Sequence, residues 1–190
     1  MERTELISRL LYQQGDTGLC LLTDQELSGS YPSWFSHETV NQHNSHWRRP
    51  STLIQVSQFV DSLTADKSKL VFAVFAMKDN VHIGNVSLQS IDQFNQCAEM
   101  AFLFGETEYW GKGYAAQSAK LAMGHAFKHM NINRLYLGCL QKNAPMNKLA
   151  IKLGFIQEGL RRQALFNDGI FQDVVEYGLL KDEFTDRTNS

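Results

Sequence analysis

Three apolar segments separated by short polar turns occupy the middle of the chain. Residues 69–77 are almost continuously apolar, residues 81–91 alternate between apolar and polar positions, and residues 97–104 are again mostly apolar. Runs and alternations of this length are typical of β-strands, and turns this short join antiparallel neighbours. The pattern therefore predicts a three-stranded antiparallel meander.

Helical spacing appears on both sides of the meander. Within residues 52–65, apolar side chains recur three or four positions apart, which predicts one face of a helix. A second helix is predicted from Tyr114 onward, where small residues line one face: Ala115, Ala119, Ala122 and Ala126. Residues 134–140 then predict a buried strand, and residues 144–154 a helix that ends at Gly154.

The two ends of the chain are also predicted to form paired strands. Residues 6–13 and 17–23 flank a turn that contains glycine, and residues 155–166 and 170–180 flank the hairpin signal Asn-Asp-Gly. Residues 28–50 lack a clean period and predict a loop with short helical pieces. Together these elements predict an α/β (α+β) protein, with a mixed, mostly antiparallel sheet flanked by helices.

Composition narrows the class of protein. Hydrophobic residues make up 43% and charged residues 20% of the 190 positions, which is ordinary for a globular protein, and we expect one domain over residues 1–190. The net charge of −2 gives no general attraction to nucleic acid or to an anionic membrane. No segment reaches the roughly 20 apolar residues that span a bilayer. We therefore expect a cytoplasmic protein that binds neither nucleic acid nor membrane.

The three cysteines, Cys20, Cys97 and Cys139, are widely spaced and form no CxxC pair, so the sequence predicts no metal site. A more informative stretch runs from Phe104 to the helix that opens at Tyr114. Its glycines, Gly111 and Gly113, let successive backbone N–H groups point into one concavity at the positive end of a helix. Such a loop can hold a phosphate.

This loop matches neither of two well-known phosphate motifs. No Gly-Lys-Ser/Thr ends it, as a Walker loop requires, and Ala116 occupies the third glycine position of GxGxxG. From these residues alone, a glycine turn before a helix is as good an interpretation as a phosphate site.

Seven motifs in order add to the evidence: "YPSWF", "IGNVSL", "AEMAFLFG", "YWGKGYA", "NRLYLGCLQKN", "KLGF" and "EGLRRQALFNDGIFQDVVEYGLL". Over residues 17–184 this series resembles the GNAT acetyltransferase superfamily. The resemblance is to its RimJ/RimL-like branch of ribosomal-protein N-terminal acetyltransferases and amino-sugar-acetylating relatives. It implies a seven-stranded sheet and acetyl-CoA as cosubstrate. It also implies direct attack by a primary amine in a ternary complex; no cysteine lies in a recognisable nucleophile setting.

The resemblance also implies a coenzyme site. Amides of the glycine loop would hold the pyrophosphate, with Trp110 in place of the usual Gln or Arg, and the backbone of Phe102–Phe104 would pair with the pantetheine arm, which Asn143 would contact. The residues concerned are Phe102, Leu103, Phe104, Trp110, Gly111, Lys112, Gly113, Tyr114, Ala115, Ala116 and Asn143. Two alternatives stay open: Asn143 can cap the following helix, and Lys112 can simply be solvated.

Glu99 is the candidate catalytic residue. A carboxylate in an otherwise apolar strand is costly unless it is solvated or paired, and beside the acetyl group it could deprotonate the acceptor ammonium, through a water. The alternative is a strand residue that faces the surface. The general acid of the family is missing, because Ala150 stands at its usual tyrosine position and Met146 at the usual serine position.

The amine acceptor is expected to meet residues 28–50 and the last hairpin. Its candidate contacts are Tyr31, Trp34, Asn44, His46 and Arg161, with Arg162 beside it. The aromatic residues can instead be packing residues, the histidine incidental and the arginines solvated. Two acceptors are considered: a nucleotide-linked amino sugar or other small amine, and a protein N-terminus.

Another class of function stays open, a coenzyme-A-binding module with little catalysis, because Met146 and Ala150 cannot donate a proton. The exposed strands of the C-terminal hairpin are also compatible with a homodimer.

Overall fold

The computed structural model describes residues 3–43, 51–167 and 169–184. Its strands form one mixed sheet in the order β1-β2-β3-β4-β5-β6-β8-β7. All neighbours are antiparallel except β5 and β6, which are parallel. The strands are β1 Tyr12–Gln14, β2 Thr17–Leu21, β3 Leu70–Ala76, β4 Val81–Asp92, β5 Cys97–Phe104, β6 Arg134–Leu140, β7 Ile156–Asn167 and β8 Ile170–Leu180.

The α-helices are α1 Arg3–Arg9, α2 Tyr31–Trp34, α3 Glu38–Asn41, α4 Leu53–Ser62, α5 Tyr114–His129 and α6 Ala144–Lys152. Short 3₁₀ turns occupy Asp24–Ser28, Thr107–Tyr109 and Lys181–Glu183. The predicted meander, the helices at 52–65, 114 and 144–154, and the C-terminal hairpin are confirmed.

Two sequence expectations were wrong. The sheet has eight strands instead of seven, because the short β1 pairs with β2. The segment 6–13, expected as a strand, begins inside α1 and contributes only its last two residues to β1. Leu6 and Leu10 are four positions apart, and both pack into the same core cluster. A helical turn brings residues four positions apart close together on one face, whereas an extended strand holds them further apart in space.

Each face of the sheet has its own hydrophobic core. On one face, α5 packs its small residues Ala119, Ala122 and Ala126 against the sheet, and each is fully buried. Small side chains let a helix lie close to the strands. The other face is covered by α1, α2 and α4, whose buried residues include Leu6, Tyr31 and Val56. The residues of β5 alternate between these two faces.

The sheet opens in its middle. Strands β5 and β6 pair over only three residues each, and the last pair is Glu99 with Tyr136. Beyond this pair, β5 continues to Phe104 along β4, and β6 continues to Leu140 along β8. The two strands therefore diverge, and the sheet contains a V-shaped gap with Glu99 and Tyr136 at its vertex.

Candidate active site

The β5 side of the gap offers backbone groups that are not paired with β4. The Gly105 amide donates to the Ile83 carbonyl at 3.2 Å, and Asn85 lies opposite Leu103 in the register. Antiparallel pairing alternates, so the amide and carbonyl of Leu103 face β4, whereas those of Phe102 and Phe104 face the gap. The sequence grouped Leu103 with its neighbours as a pantetheine contact. Its backbone is instead engaged with β4, and its side chain packs into the α2 side of the core.

The mouth of the gap is bordered by the glycine loop. Gly111 and Gly113 both adopt positive φ, +72° and +93°, and a Cβ on either would meet nothing within 4 Å. Gly113 immediately precedes α5, and the first N–H groups of a helix have no partner within it. The loop therefore presents an open backbone concavity at a helix N-terminus, where an anion is stabilised.

Two tyrosines hold this loop against neighbouring turns. The Tyr114 hydroxyl donates to Asp16 at 2.6 Å and the Tyr109 hydroxyl to Asp79 at 3.0 Å. Burial, and then the bonded carboxylate, raise the pKa of each tyrosine to about 12, so both hydroxyls remain donors at neutral pH. The ammonium of Lys112 lies 5.2 Å from the centre of the Tyr109 ring. The loop is therefore anchored before any ligand arrives.

At the vertex, Glu99 is half-buried and lies on the sheet face opposite α5, since its neighbours Ala98 and Met100 belong to the α5 core. Burial, and then the charge of Glu99, raise the pKa of the facing Tyr136. Among the described residues, no cation forms an ion pair with Glu99, in contrast to two other carboxylates of the C-terminal strands. Glu158 pairs with Arg134, and Glu176 pairs with Arg161.

A V-shaped gap between parallel strands, a glycine loop and a helix N-terminus together fit a coenzyme site. The sequence profile of the Acetyltransferase (GNAT) domain matches residues 18–156. The chain belongs to the GNAT acetyltransferase family. It is an acetyltransferase, and acetyl-CoA is its acetyl donor, as the sequence resemblance predicted.

Individual GNAT relatives share a modest part of the sequence. Uncharacterized N-acetyltransferase p20 from Bacillus licheniformis is 30% identical over 127 residues, which cover 67% of this chain and 71% of p20. Spermidine N(1)-acetyltransferase from Escherichia coli is 29% identical over 131 residues, 69% of each chain.

The fold of a solved family member is also similar. The coenzyme A complex of RimL, the ribosomal L7/L12 alpha-N-protein acetyltransferase, superposes with a TM-score of 0.82 at 18% identity, over 92% of this chain and 99% of RimL. At this identity the likeness shows that the fold is that of the family.

On the β6 side of the GNAT gap, Asn143 caps α6. Its Oδ1 accepts a hydrogen bond from the Met146 amide at 3.2 Å, so the helix-cap role considered from the sequence is present. Ala150 is fully buried and Met146 partly buried. Neither side chain has a proton to donate, which leaves the described part of α6 without the general acid of the family at either position.

The sequence analysis missed Asn147. Its amide nitrogen donates to the carbonyls of Asn143 at 2.7 Å and Leu140 at 3.1 Å, and its oxygen accepts the Tyr177 hydroxyl at 2.7 Å. Asn147 therefore fixes the turn that carries Asn143. No local signal predicts this, because Tyr177 lies 30 positions further along the chain.

The predicted acceptor contacts are separated by the fold. Tyr31 and Trp34 are almost fully buried, at 1% and 2% exposure, and pack with the His82 ring. Burial lowers the pKa of His82, so its imidazole is neutral at pH 7. Arg161 lies apart on β7, exposed, with its Nε 2.6 Å from Glu176. Asn44 and His46 lie outside the described residues.

The described residues, 3–43, 51–167 and 169–184, also bear on metal binding and on membrane-spanning helices. No group of three or more His, Cys, Asp or Glu side chains is placed to hold a metal ion there. In the same ranges, no helix has the length and apolar character to cross a membrane.

Proposed function

We propose that this GNAT enzyme acetylates a small, cationic primary amine by direct attack on acetyl-CoA in a ternary complex. The single observation that carries the proposal is the gap between β5 and β6, whose vertex bears a carboxylate, Glu99, without a cationic partner among the described residues. A thioester held in the gap would present its carbonyl near this carboxylate.

The coenzyme would be held along the gap by backbone groups. Phe102 and Phe104 would offer amides and carbonyls to the pantetheine arm, as a neighbouring strand does. The Phe104 carbonyl already accepts the Trp110 indole N–H at 3.1 Å, so Trp110 borders this edge. The amides from Gly111 to Ala116 would bind the pyrophosphate. Asn143, whose turn is fixed by Asn147, would contact the pantetheine from β6.

Acetyl transfer to an ammonium requires the loss of a proton before attack. Glu99 would accept that proton, directly or through a water, and the neutral nitrogen would then attack the thioester carbonyl. Collapse of the tetrahedral intermediate breaks the C–S bond and releases the coenzyme thiolate, and the remaining extra proton on the nitrogen passes to that thiolate or to water. A free thiol has a pKa of about 8.5, so the thiolate leaves without a side-chain acid in place of Met146 or Ala150.

The charges around the site favour a cationic acceptor. The hypothesis of a nucleotide-linked amino sugar depended on Arg161 and Arg162 for its diphosphate, but Arg161 already forms an ion pair with Glu176, whose carboxylate would repel a diphosphate. Glu99, by contrast, is available to a cation. A relative that shares 29% identity is a spermidine acetyltransferase, which is consistent with a polyamine as the acceptor.

A protein N-terminus is the second candidate. RimL, whose fold superposes on this chain, is named as an alpha-N-protein acetyltransferase.

The acceptor class can be decided with a panel assay. The purified protein would be incubated with acetyl-CoA and spermidine, an amino-sugar nucleotide, or an N-terminal peptide, and products would be detected by mass spectrometry. We expect acetyl-spermidine, at a rate at least about tenfold above the other acceptors, since Glu99 has no cationic partner within the described part of the chain and can attract a cation. Preferred acetylation of the peptide or sugar nucleotide would contradict the proposal. Tight coenzyme binding without any product would favour the binding-module alternative.

We also propose that the enzyme forms a homodimer through the β7–β8 hairpin. Among the described strands, β7 pairs only with β8, so its outer edge is free. Apolar side chains on this hairpin are between 43% and 64% exposed: Ile156, Leu160, Phe166, Ile170 and Phe171. A free strand edge with exposed apolar side chains is prone to pair with another chain.

Light scattering after size exclusion should therefore give twice the mass of one chain. Leu160→Arg should shift the mass to that of one chain, because a charge would be buried in the interface. Ile54→Arg, at a more exposed position on α4, should remain dimeric. A wild-type mass of one chain at every concentration would contradict the proposal.

A further inference from the structure

Residues 30–43, which contain α2 and α3, form a segment that we call the strap. Tyr31 and Trp34 of the strap pack in the same core cluster as Leu103 of β5. Glu99 and Leu103 are four positions apart on β5, so their side chains point to the same face of the sheet. The strap therefore packs on the sheet face that bears Glu99, from which an amine would approach.

The strap is tied at both ends to the sheet. Near its start, the Trp34 indole N–H donates to Glu106 Oε1 at 3.0 Å, and the Ser30 hydroxyl donates to the same oxygen. Near its end, the Asn167 side chain donates to the Gln42 carbonyl at 2.9 Å. It therefore runs from the end of β5 to the tip of the C-terminal hairpin.

Glu106 lies between the two parts of the proposed coenzyme site. Its chain neighbour Gly105 directly follows the pantetheine edge, and the glycine loop begins a few residues later. A Cβ on Gly105 would lie 2.0 Å from the Trp34 ring, so the indole packs directly on the backbone there. The amides of Gly105 and Glu106 both donate to the Ile83 carbonyl, at 3.2 and 3.4 Å. A shift of this segment must move Trp34 as well.

We propose that Glu106 is a positioning residue that couples the strap to the coenzyme loop. A carboxylate suits this role, because one of its oxygens accepts hydrogen bonds from both strap donors. Hydrogen bonds to a charged acceptor are also stronger than those between neutral groups. Coenzyme bound along Phe104 and the glycine loop restrains the Glu106 segment and thereby orders the strap over Glu99. Because coupling between two sites is reciprocal, a bound amine also tightens coenzyme binding. This inference rests on the proposed coenzyme site.

Hydrogen exchange measured by mass spectrometry on the full chain, with and without coenzyme A, tests the coupling. In the wild type we expect coenzyme A to slow exchange in peptides covering 111–118 and also in those covering 31–41. The strap contains amides protected by its own turns, such as Asn41 N–H bonded to the His37 carbonyl at 3.1 Å. The slowing there should be about tenfold, the effect of one charge-assisted hydrogen bond.

Four variants separate coupling from stability. Glu106→Ala should lose the slowing at 31–41 and keep it at 111–118. Glu106→Gln should keep the slowing at 111–118 and part of that at 31–41, since its amide oxygen still accepts the indole N–H but in a weaker, uncharged hydrogen bond. Ser30→Ala removes one of the two donors to Glu106 at a position outside the hydrophobic core. We expect part of the slowing at 31–41 to remain in this variant. Glu108→Ala removes an exposed carboxylate two positions on and should behave as the wild type.

An unchanged strap response in Glu106→Ala and Ser30→Ala would overturn the inference, as would protection confined to 111–118 in the wild type. No protection at 111–118 would be a different result: it would overturn the proposed coenzyme site itself, and the coupling with it.

Discussion

Gly113→Asp is expected to weaken coenzyme A binding by at least about 100-fold, which corresponds to about 2.7 kcal/mol. The residue has φ of +93°, and the space in front of it is open for a ligand. An aspartate there would place a carboxylate against the bound pyrophosphate. Two like charges about 4 Å apart near a protein surface repel by about 4 kcal/mol. Calorimetric titration with coenzyme A measures the loss.

The matched control is Gly113→Asn. Asparagine has the shape of aspartate, is neutral, and is one of the side chains that tolerate positive φ. We expect it to weaken binding by less than about tenfold, because only the moderate cost of the backbone conformation and of added volume remains. If both variants bind coenzyme A with equal affinity, and thermal unfolding shows that both are folded, the pyrophosphate does not bind at this loop.

Glu99→Gln is expected to lower kcat/KM for the acetylated amine by about 100-fold at pH 7, within the usual range for loss of a general base. The substitution keeps the shape of the side chain and removes its ability to take a proton. The deficit should be largest at low pH, where the amine is almost entirely protonated, and should shrink as the pH rises. At high pH the acceptor is already neutral and needs no base. A pH–rate profile from pH 6 to pH 10 measures this trend.

Coenzyme affinity separates catalysis from binding in this variant. We expect Glu99→Gln to bind coenzyme A as the wild type does. The proposed coenzyme contacts are backbone groups of Phe102, Phe104 and the glycine loop, together with Asn143, and do not include the Glu99 side chain. Asp61→Asn, an exposed carboxylate on α4, should retain full activity. A Glu99→Gln profile parallel to that of the wild type would exclude Glu99 as the base and leave its charge with a binding role at most.

The parts of the fold that the sequence predicted are those with a local signal. The apolar run of β3, the alternation of β4 and the alanine face of α5 are each set by the period of neighbouring side chains. The glycine loop was also visible, because the positive φ that Gly111 and Gly113 adopt favours a residue without a Cβ. The error at residues 6–13 has the same origin: eight residues of mixed character hold too few periods to distinguish a helix from a strand.

The sequence by itself therefore determined the family, the order of most elements and the position of the glycine loop. Only the tertiary structure decided which strands diverge, that Leu103 turns its backbone away from the gap, and that Arg161 pairs with Glu176. It also showed Asn147 bonded to Tyr177 and Glu106 bonded to Trp34, pairs that are 30 and 72 positions apart. The physical reason is that local periodicity fixes each element alone, whereas ion pairs, strand register and long-range hydrogen bonds form only when distant segments pack together.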